Sequence, residues 1–246
     1  MERPGSDSTT LSHILGEDSE LAEAVPNAER ARAIKECVAE TMELERGPWA
    51  PHKDPASGAG IGLLVQRGLL IRHVGIDGRS GAELLGEGDL LRPWQGEDAA
   101  ATMPHVTGWR VLQATRLAVL DVDAARLLSR YPELTGQLVG RALERSRNLT
   151  INMAIVHHAR VSTRLQMLLW HLADRWGRVR ADGIWLPFRL THEVLSDLVA
   201  ARRPTVSSAL GELGREGRLR LEPGGWILTG EPPGELLEIQ DIEPRR

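Results

Sequence analysis

A single cysteine, Cys37, stands among 246 residues, so an internal disulfide, an all-cysteine zinc site and a cluster held by the cysteines of one chain are all excluded. Tyrosine and phenylalanine occur once each, and lysine only at Lys35 and Lys53, which leaves almost all of the positive charge to arginine. Long apolar runs are missing too. No window approaches the ~18 uncharged apolar residues of a membrane span, and the N-terminal MERPGSDSTT has no charged-then-apolar signal pattern. A cytoplasmic protein with no metal, no cofactor and no membrane partner is the expectation. A P-loop, a Gly-x-Ser-x-Gly elbow, a His-Glu-x-x-His pair and a dinucleotide fingerprint are likewise missing, so the chain is not read as an enzyme.

What is there suits a soluble chain of about two domains, 41% apolar and 26% charged. The net charge of −4 argues mildly against a nucleic-acid partner until it is divided along the chain. Residues 1–140 sum to −7, residues 141–220 to +7 and residues 221–246 to −4. The basic middle is where phosphate contact is to be sought.

Residues 1–25 read as a flexible acidic arm, and Pro26 to about Glu45 as a helix, with Ala33, Ile34, Val38, Met42 and Leu44 at helical spacing. Gly47–Trp49 reads as a break and PHKDPASGAG as a loop. Short apolar runs with Gly-containing turns follow, including a hairpin at Asp77-Gly78, and residues 109–121 read as two further strands. Residues 47–121 are thus expected to form an antiparallel β-domain. After Tyr131-Pro132 a long helix is predicted to about His158. Its positions Leu138, Ala142, Arg145, Leu149, Asn152 and Val156 are spaced 4, 3, 4, 3, 4, the seam of a two-stranded coiled coil, and imply a homodimer; the plainer reading is a helix packed on its own domain.

Residues 160–176 form an amphipathic helix, followed by a strand from Ile184 to Leu190. Then comes THEVLSDLVA-ARR-PTVSSALGELGREG. Thr191 is a good N-cap, Pro204 suits a first helical turn and Gly217 a stop. Two short helices across a tight turn, the second small and polar on its outer face, are a helix-turn-helix. RLRLEPGGWIL adds a wing.

On these residues the chain, over about 47–230, resembles the Crp/Fnr family of bacterial transcription regulators. GLLVQRGLLIRHV and ELLGEGDLLRPW look like its cyclic-nucleotide-binding-type β-roll, and THEVLSDLVAARRPTVSSALGEL like its helix-turn-helix. The resemblance implies an α+β chain: a jelly-roll-like antiparallel β-roll sensor (26–122), a dimerisation helix region (123–159), a winged helix-turn-helix (160–230) and an acidic tail (231–246). It implies double-stranded DNA with an inverted-repeat operator as partner, a second copy of the chain, and RNA polymerase. Arg203 matches the family's guanine-reading arginine and Thr205 a phosphate-contacting threonine, while Pro204 and Ser208 stand where other members carry a glutamate and a second arginine. Arg202, Arg218 and Arg220 are expected on phosphates, with Ser207 and Ser208 adjusting the local fit.

The family's cyclic-nucleotide cassette would fall in QGEDAAATMPHVTG, which has no cation and carries Glu97 and Asp98, so cAMP binding of the usual kind is not expected. Gly86-Glu87 reads as part of a structural turn. His73 lies where haem-sensing members could place a ligand but reads as a hydrogen-bonded strand residue, and His157-His158 cannot face one metal. Cys37 reads as a buried small side chain and the seven tryptophans as packing residues. The competing function is a small-molecule-sensing module whose winged helix contacts protein; Arg202, Arg203, Arg218 and Arg220 together argue against it.

Overall fold

The computed structural model describes residues 10–51, 60–94, 103 and 105–234. The chain divides into two compact units, Met1–Arg147 and Asn148–Arg246.

In the first unit, β1 (Thr10–His13), α1 (Ile14–Glu17), α2 (Ser19–Ala24) and α3 (Asn27–Glu36) lead into β2 (Val38–Leu44), β3 (Gly47–Trp49), β4 (Gly62–Ile76), β5 (Arg79–Gly86), β6 (Leu90–Leu91) and β7 (Val106–Leu120). The sheet has seven strands in the order β1-β2-β7-β4-β5, with β3 on β7 and β6 on β4, and every pairing is antiparallel. Helix α4 (Val122–Leu128) follows, then α5 (Pro132–Val156), whose residues up to Arg147 belong to the first unit and whose residues from Asn148 belong to the second.

Strands β4 and β7 slip register between Val65 and Leu70. Gly68 sits there at φ +100, where a Cβ would lie 2.5 Å from the Ala114 carbonyl oxygen, so only glycine fits the bend. The bend lets the first half of β4 pair with β6 and the second half with β5. The Asp77-Gly78 hairpin turn forms as expected, both residues taking positive φ, 49 and 70.

Both faces of the sheet are covered, and this explains the unbroken apolar run Leu63-Leu64-Val65. Leu63, Val65, Leu70, Leu85, Leu91, Trp109, Val111 and Leu117 make one core, with Trp49 edge-on to Trp109 at 5.5 Å. Leu64, Ala118 and Leu120 point the other way into a second core with Ile14, Leu15, Leu21, Val25, Leu128, Leu134 and Leu138.

Several expectations change. Residues 10–25 are a strand and two helices whose Ile14, Leu15, Leu21, Ala22 and Val25 enter that core, not a flexible arm. The helix from Pro26 ends at Glu36. VAETMEL is a strand burying Ala39 and Thr41 alternately, because its apolar residues fit a period of two as well as one of 3.6. Gly47–Trp49 is a strand, and residues 109–120 belong to one long strand rather than two, with Asp121 capping the next helix.

The second unit holds α6 (Val161–Trp176), β8 (Arg178–Arg180), β9 (Gly183–Leu186), α7 (His192–Leu198), α8 (Arg203–Arg215), β10 (Leu219–Glu222) and β11 (Gly225–Leu228). Its four-stranded antiparallel sheet runs β10-β11-β9-β8, so the expected strand Ile184–Leu190 is shorter and gains a partner in β8. Helix α8 packs on α6 and α7 through buried Val206, Ala209, Leu210 and Leu213.

Candidate nucleic-acid interface

The chain enters α7 through Thr191, whose Oγ1 accepts from the Val194 N–H at 3.2 Å. It leaves through Ala200 in the left-handed region at φ 49, with the Ala201 N–H donating to the Ser196 carbonyl at 3.0 Å. Arg164, on α6, donates to the carbonyls of Val199 and Ala200 at 3.1 and 3.2 Å, and to that of His158 at 2.5 Å. These bonds satisfy the carbonyls that a helix end leaves open and hold the turn before α8.

Helix α8 begins at Arg203 with Arg202 as its cap residue and Pro204 in its first turn. Its inner side is apolar and buried, while Arg202, Arg203, Thr205 and Ser208 are exposed at or near its N-terminal end. Among the described residues, no ion pair or hydrogen bond engages the guanidinium of Arg202 or Arg203. Two unpaired arginines thus stand at the positive end of a helix dipole, an arrangement that favours phosphate and the acceptor edge of guanine.

The two serines differ. Ser208 is exposed, and its Oγ donates back to the Pro204 carbonyl at 3.2 Å. Ser207 is half-buried: its Oγ donates to the Arg203 carbonyl at 3.0 Å and meets His192 Nδ1 at 2.8 Å. Its hydroxyl is therefore turned into the domain rather than offered to a ligand, and His192 and Ser207 together hold the turn of α8 that carries Arg203.

The wing forms as expected around Pro223-Gly224, with Gly224 at φ +82. Its arginines are not free. Arg218 donates to Gln166 at 3.0 Å and pairs with Glu216 at 3.1 Å; Arg220 pairs with Asp182 and, at 2.9 Å, with Glu222. Beside them, Arg178 and Arg180 of β8 lie over the Trp185 ring at 5.7 and 4.1 Å. Arg164, His192 and this arginine–tryptophan stack were not singled out from sequence; only the Arg-Val-Arg run before Trp185 hinted at the last.

The expected dimer seam divides. Leu138 is buried in the core of the first unit, and Arg145 is bonded to Glu83 of its own chain, so both are spent inside the domain. Ala142 is exposed, and Leu149, Asn152 and Val156 are half-buried. One position along the helix, Val139 is 55%, Leu143 64% and Met153 63% exposed.

Gly86 to Asp89 is a structural turn, closed by the Asp89 carboxylate on the Gly86 N–H at 2.8 Å. Residues 95–102 and 104, the core of the nucleotide-cassette segment, lie outside the described residues, as do 52–59 and the tail from 235. His73 is paired within the sheet, and no group of three metal-ligating side chains occurs among the described residues. Cys37 is fully buried, and burial pushes its thiol up to about 11, so it stays protonated and unreactive at neutral pH.

Comparison with known proteins matches residues 163–231 to the Crp-like helix-turn-helix domain. Curated relatives in Mycobacterium tuberculosis, described as CRP-like cAMP-activated global transcriptional regulators, are 29% identical over 142 residues, which is 57% of this chain and 59% of theirs. The match thus spans under two thirds of those relatives' length. Among solved structures, a cyclic nucleotide-binding domain containing protein from Listeria monocytogenes aligns with TM-score 0.62 at 17% identity, covering 85% of this chain and 96% of that one. A CooA variant from Carboxydothermus hydrogenoformans aligns at 0.59 and 15%, covering 95% and 97%.

Proposed function

The chain carries a Crp-like helix-turn-helix domain on the fold of the Crp/Fnr-type regulators, and from that premise we propose that it is a homodimeric, sequence-specific DNA-binding transcription regulator. Two copies place α8 in successive major grooves about 34 Å apart on an inverted repeat. The observation that carries this reading is the exposed, unpaired Arg202-Arg203 pair at the head of α8. Arg203 reads a base, Arg202 and Thr205 hold phosphates, and Ser208 lies on the outward face, while Ser207 acts indirectly by holding the backbone of Arg203. Arg218 and Arg220 reach phosphates only by exchanging their present carboxylate partners. Selection of genomic fragments by the purified protein, followed by sequencing, should return an inverted repeat; unenriched fragments would count against the reading.

Pairing runs along α5 in a seam that keeps Ala142, Leu149 and Val156 and replaces Leu138, Arg145 and Asn152 with Val139, Ser146 and Met153, spaced 3, 4, 3, 4, 3. The exposure of Val139 and Met153 supports it. Val139→Glu should give monomers in sedimentation at concentrations where the parent is a dimer. An unchanged dimer would remove this register.

The effector splits two ways. A segment with Glu97, Asp98 and no cation between Trp94 and Trp109 supports activity without cAMP, whereas the description of the mycobacterial relatives favours activation by it. We favour the first. Calorimetry with millimolar cAMP decides between them: no saturable heat is expected, and a clear isotherm selects the second. RNA polymerase contact follows from the proposed role and is read by in vitro transcription from the selected operator.

A further inference from the structure

A buried ionic cluster joins the sheet of the first unit to α5. Glu83 of β5, its side chain 7% exposed, stands directly across from Arg72 of β4 in the ladder and meets its guanidinium at 2.8 Å. Arg145 of α5 approaches the same carboxylate with two bonds, Nε to Oε1 at 2.7 Å and Nη2 to Oε2 at 2.9 Å, and donates through Nη1 to the Leu90 carbonyl at 3.1 Å. Two guanidinium groups therefore converge on the Glu83 carboxylate, and the charge of buried Asp89 acts on Arg145 as well. Burial, with Arg145 close by, pulls Arg72 below its ordinary range; burial opposes the charge of Arg145 as well, but its bonds to Glu83 outweigh that and hold it above.

Donors also outnumber acceptors here. Among the described residues the buried Nε of Arg72 has no partner, nor does Nε1 of Trp109, whose ring lies 5.8 Å from the Arg72 guanidinium. A buried site with surplus N–H donors and two cations has the chemistry of a carboxylate receptor. Without an anion between them the two arginines would repel, and α5 would lose its bidentate attachment to the sheet.

We propose that Glu83 is a built-in counter-ion. Its carboxylate fills a two-arginine anion site between the sheet and α5, so this junction is set without a diffusible anionic effector, and removing it uncovers a receptor for small carboxylates such as formate or acetate. The inference stands apart from the DNA reading because its readout is the folding of the first unit.

The test is thermal unfolding of the full chain at fixed ionic strength, with formate or acetate replacing chloride. Glu83→Ala should lower the melting transition by about 10 °C in chloride. Formate at tens of millimolar should restore at least half of that loss saturably, and the rescue should vanish in Glu83→Ala/Arg145→Met. The parent should show no saturable heat with either anion. Loss of stability in Glu83→Ala without recovery beyond chloride, or saturable carboxylate binding by the parent, would overturn the proposal. Should Glu83→Ala fail to fold, Glu83→Gln carries the test, since it keeps the shape and deletes the charge: a lowered transition supports the counter-ion role, and an unchanged one overturns it.

Discussion

Arginines buried in the first unit and arginines at the head of α8 in the second are used in opposite ways. In the first, Arg72 and Arg145 converge on Glu83, and Arg141 is clasped by Asp18 and Glu20 at 2.5 and 2.9 Å with its side chain 10% exposed. In the second, Arg202 and Arg203 are left outward at the head of α8. Part of the acidic front's charge is thus spent on internal structure, where a carboxylate turns a buried cation from a liability into a fastening. A cation kept free at a helix N-terminus gains nothing for folding, since it adds to the positive end of the dipole, and its use is external.

Substitutions at the two kinds of arginine should therefore separate stability from binding. The largest effect is expected from Arg145→Ala, which strips Glu83 of its bidentate partner and should cost about 3–5 kcal/mol in denaturant unfolding of the first unit. Arg203→Ala should leave unfolding unchanged. It should cost about 1–3 kcal/mol in operator binding and relax preference at one base pair per half-site, read by competition with single-substituted operators. A reversed outcome, with binding intact and stability lost, would erase the distinction between the units. Smaller still is Ala200→Gly: relief of the left-handed Ala200 should raise the stability of the second unit by about 1 kcal/mol, sharpening its transition against that of the first.

The helix-turn-helix was legible because its signals are local. Thr191 caps, Pro204 opens, Gly217 at φ +70 closes, and each acts within one helical turn. The front of the chain was not, for two physical reasons. Residues 38–44 satisfy both periodicities, and only pairing with β1 and β7 makes them a strand. Ile14, Leu15, Leu21 and Val25 are scattered through a polar stretch, and their value appears only when α4, α5 and the sheet supply the rest of the core. The seam on α5 shows the same limit. Two heptad seams that share Ala142, Leu149 and Val156 are both apolar enough, and the choice falls to Glu83, 62 residues from Arg145 in sequence. Likewise the α8 pattern marks Ser207 and Ser208 as alike, and only His192 distinguishes the one facing inward.

The central claim, that the free arginines at the head of α8 meet DNA, Arg202 on a phosphate and Arg203 on a base, is tested most directly by the salt dependence of binding to the selected operator. The parent should bind with a steep fall of log K against log salt; Arg202→Ala should reduce that slope by about 1, and Arg220→Ala, already paired with Asp182 and Glu222, by less. A slope near zero, or one that Arg202→Ala leaves unchanged, would contradict the account.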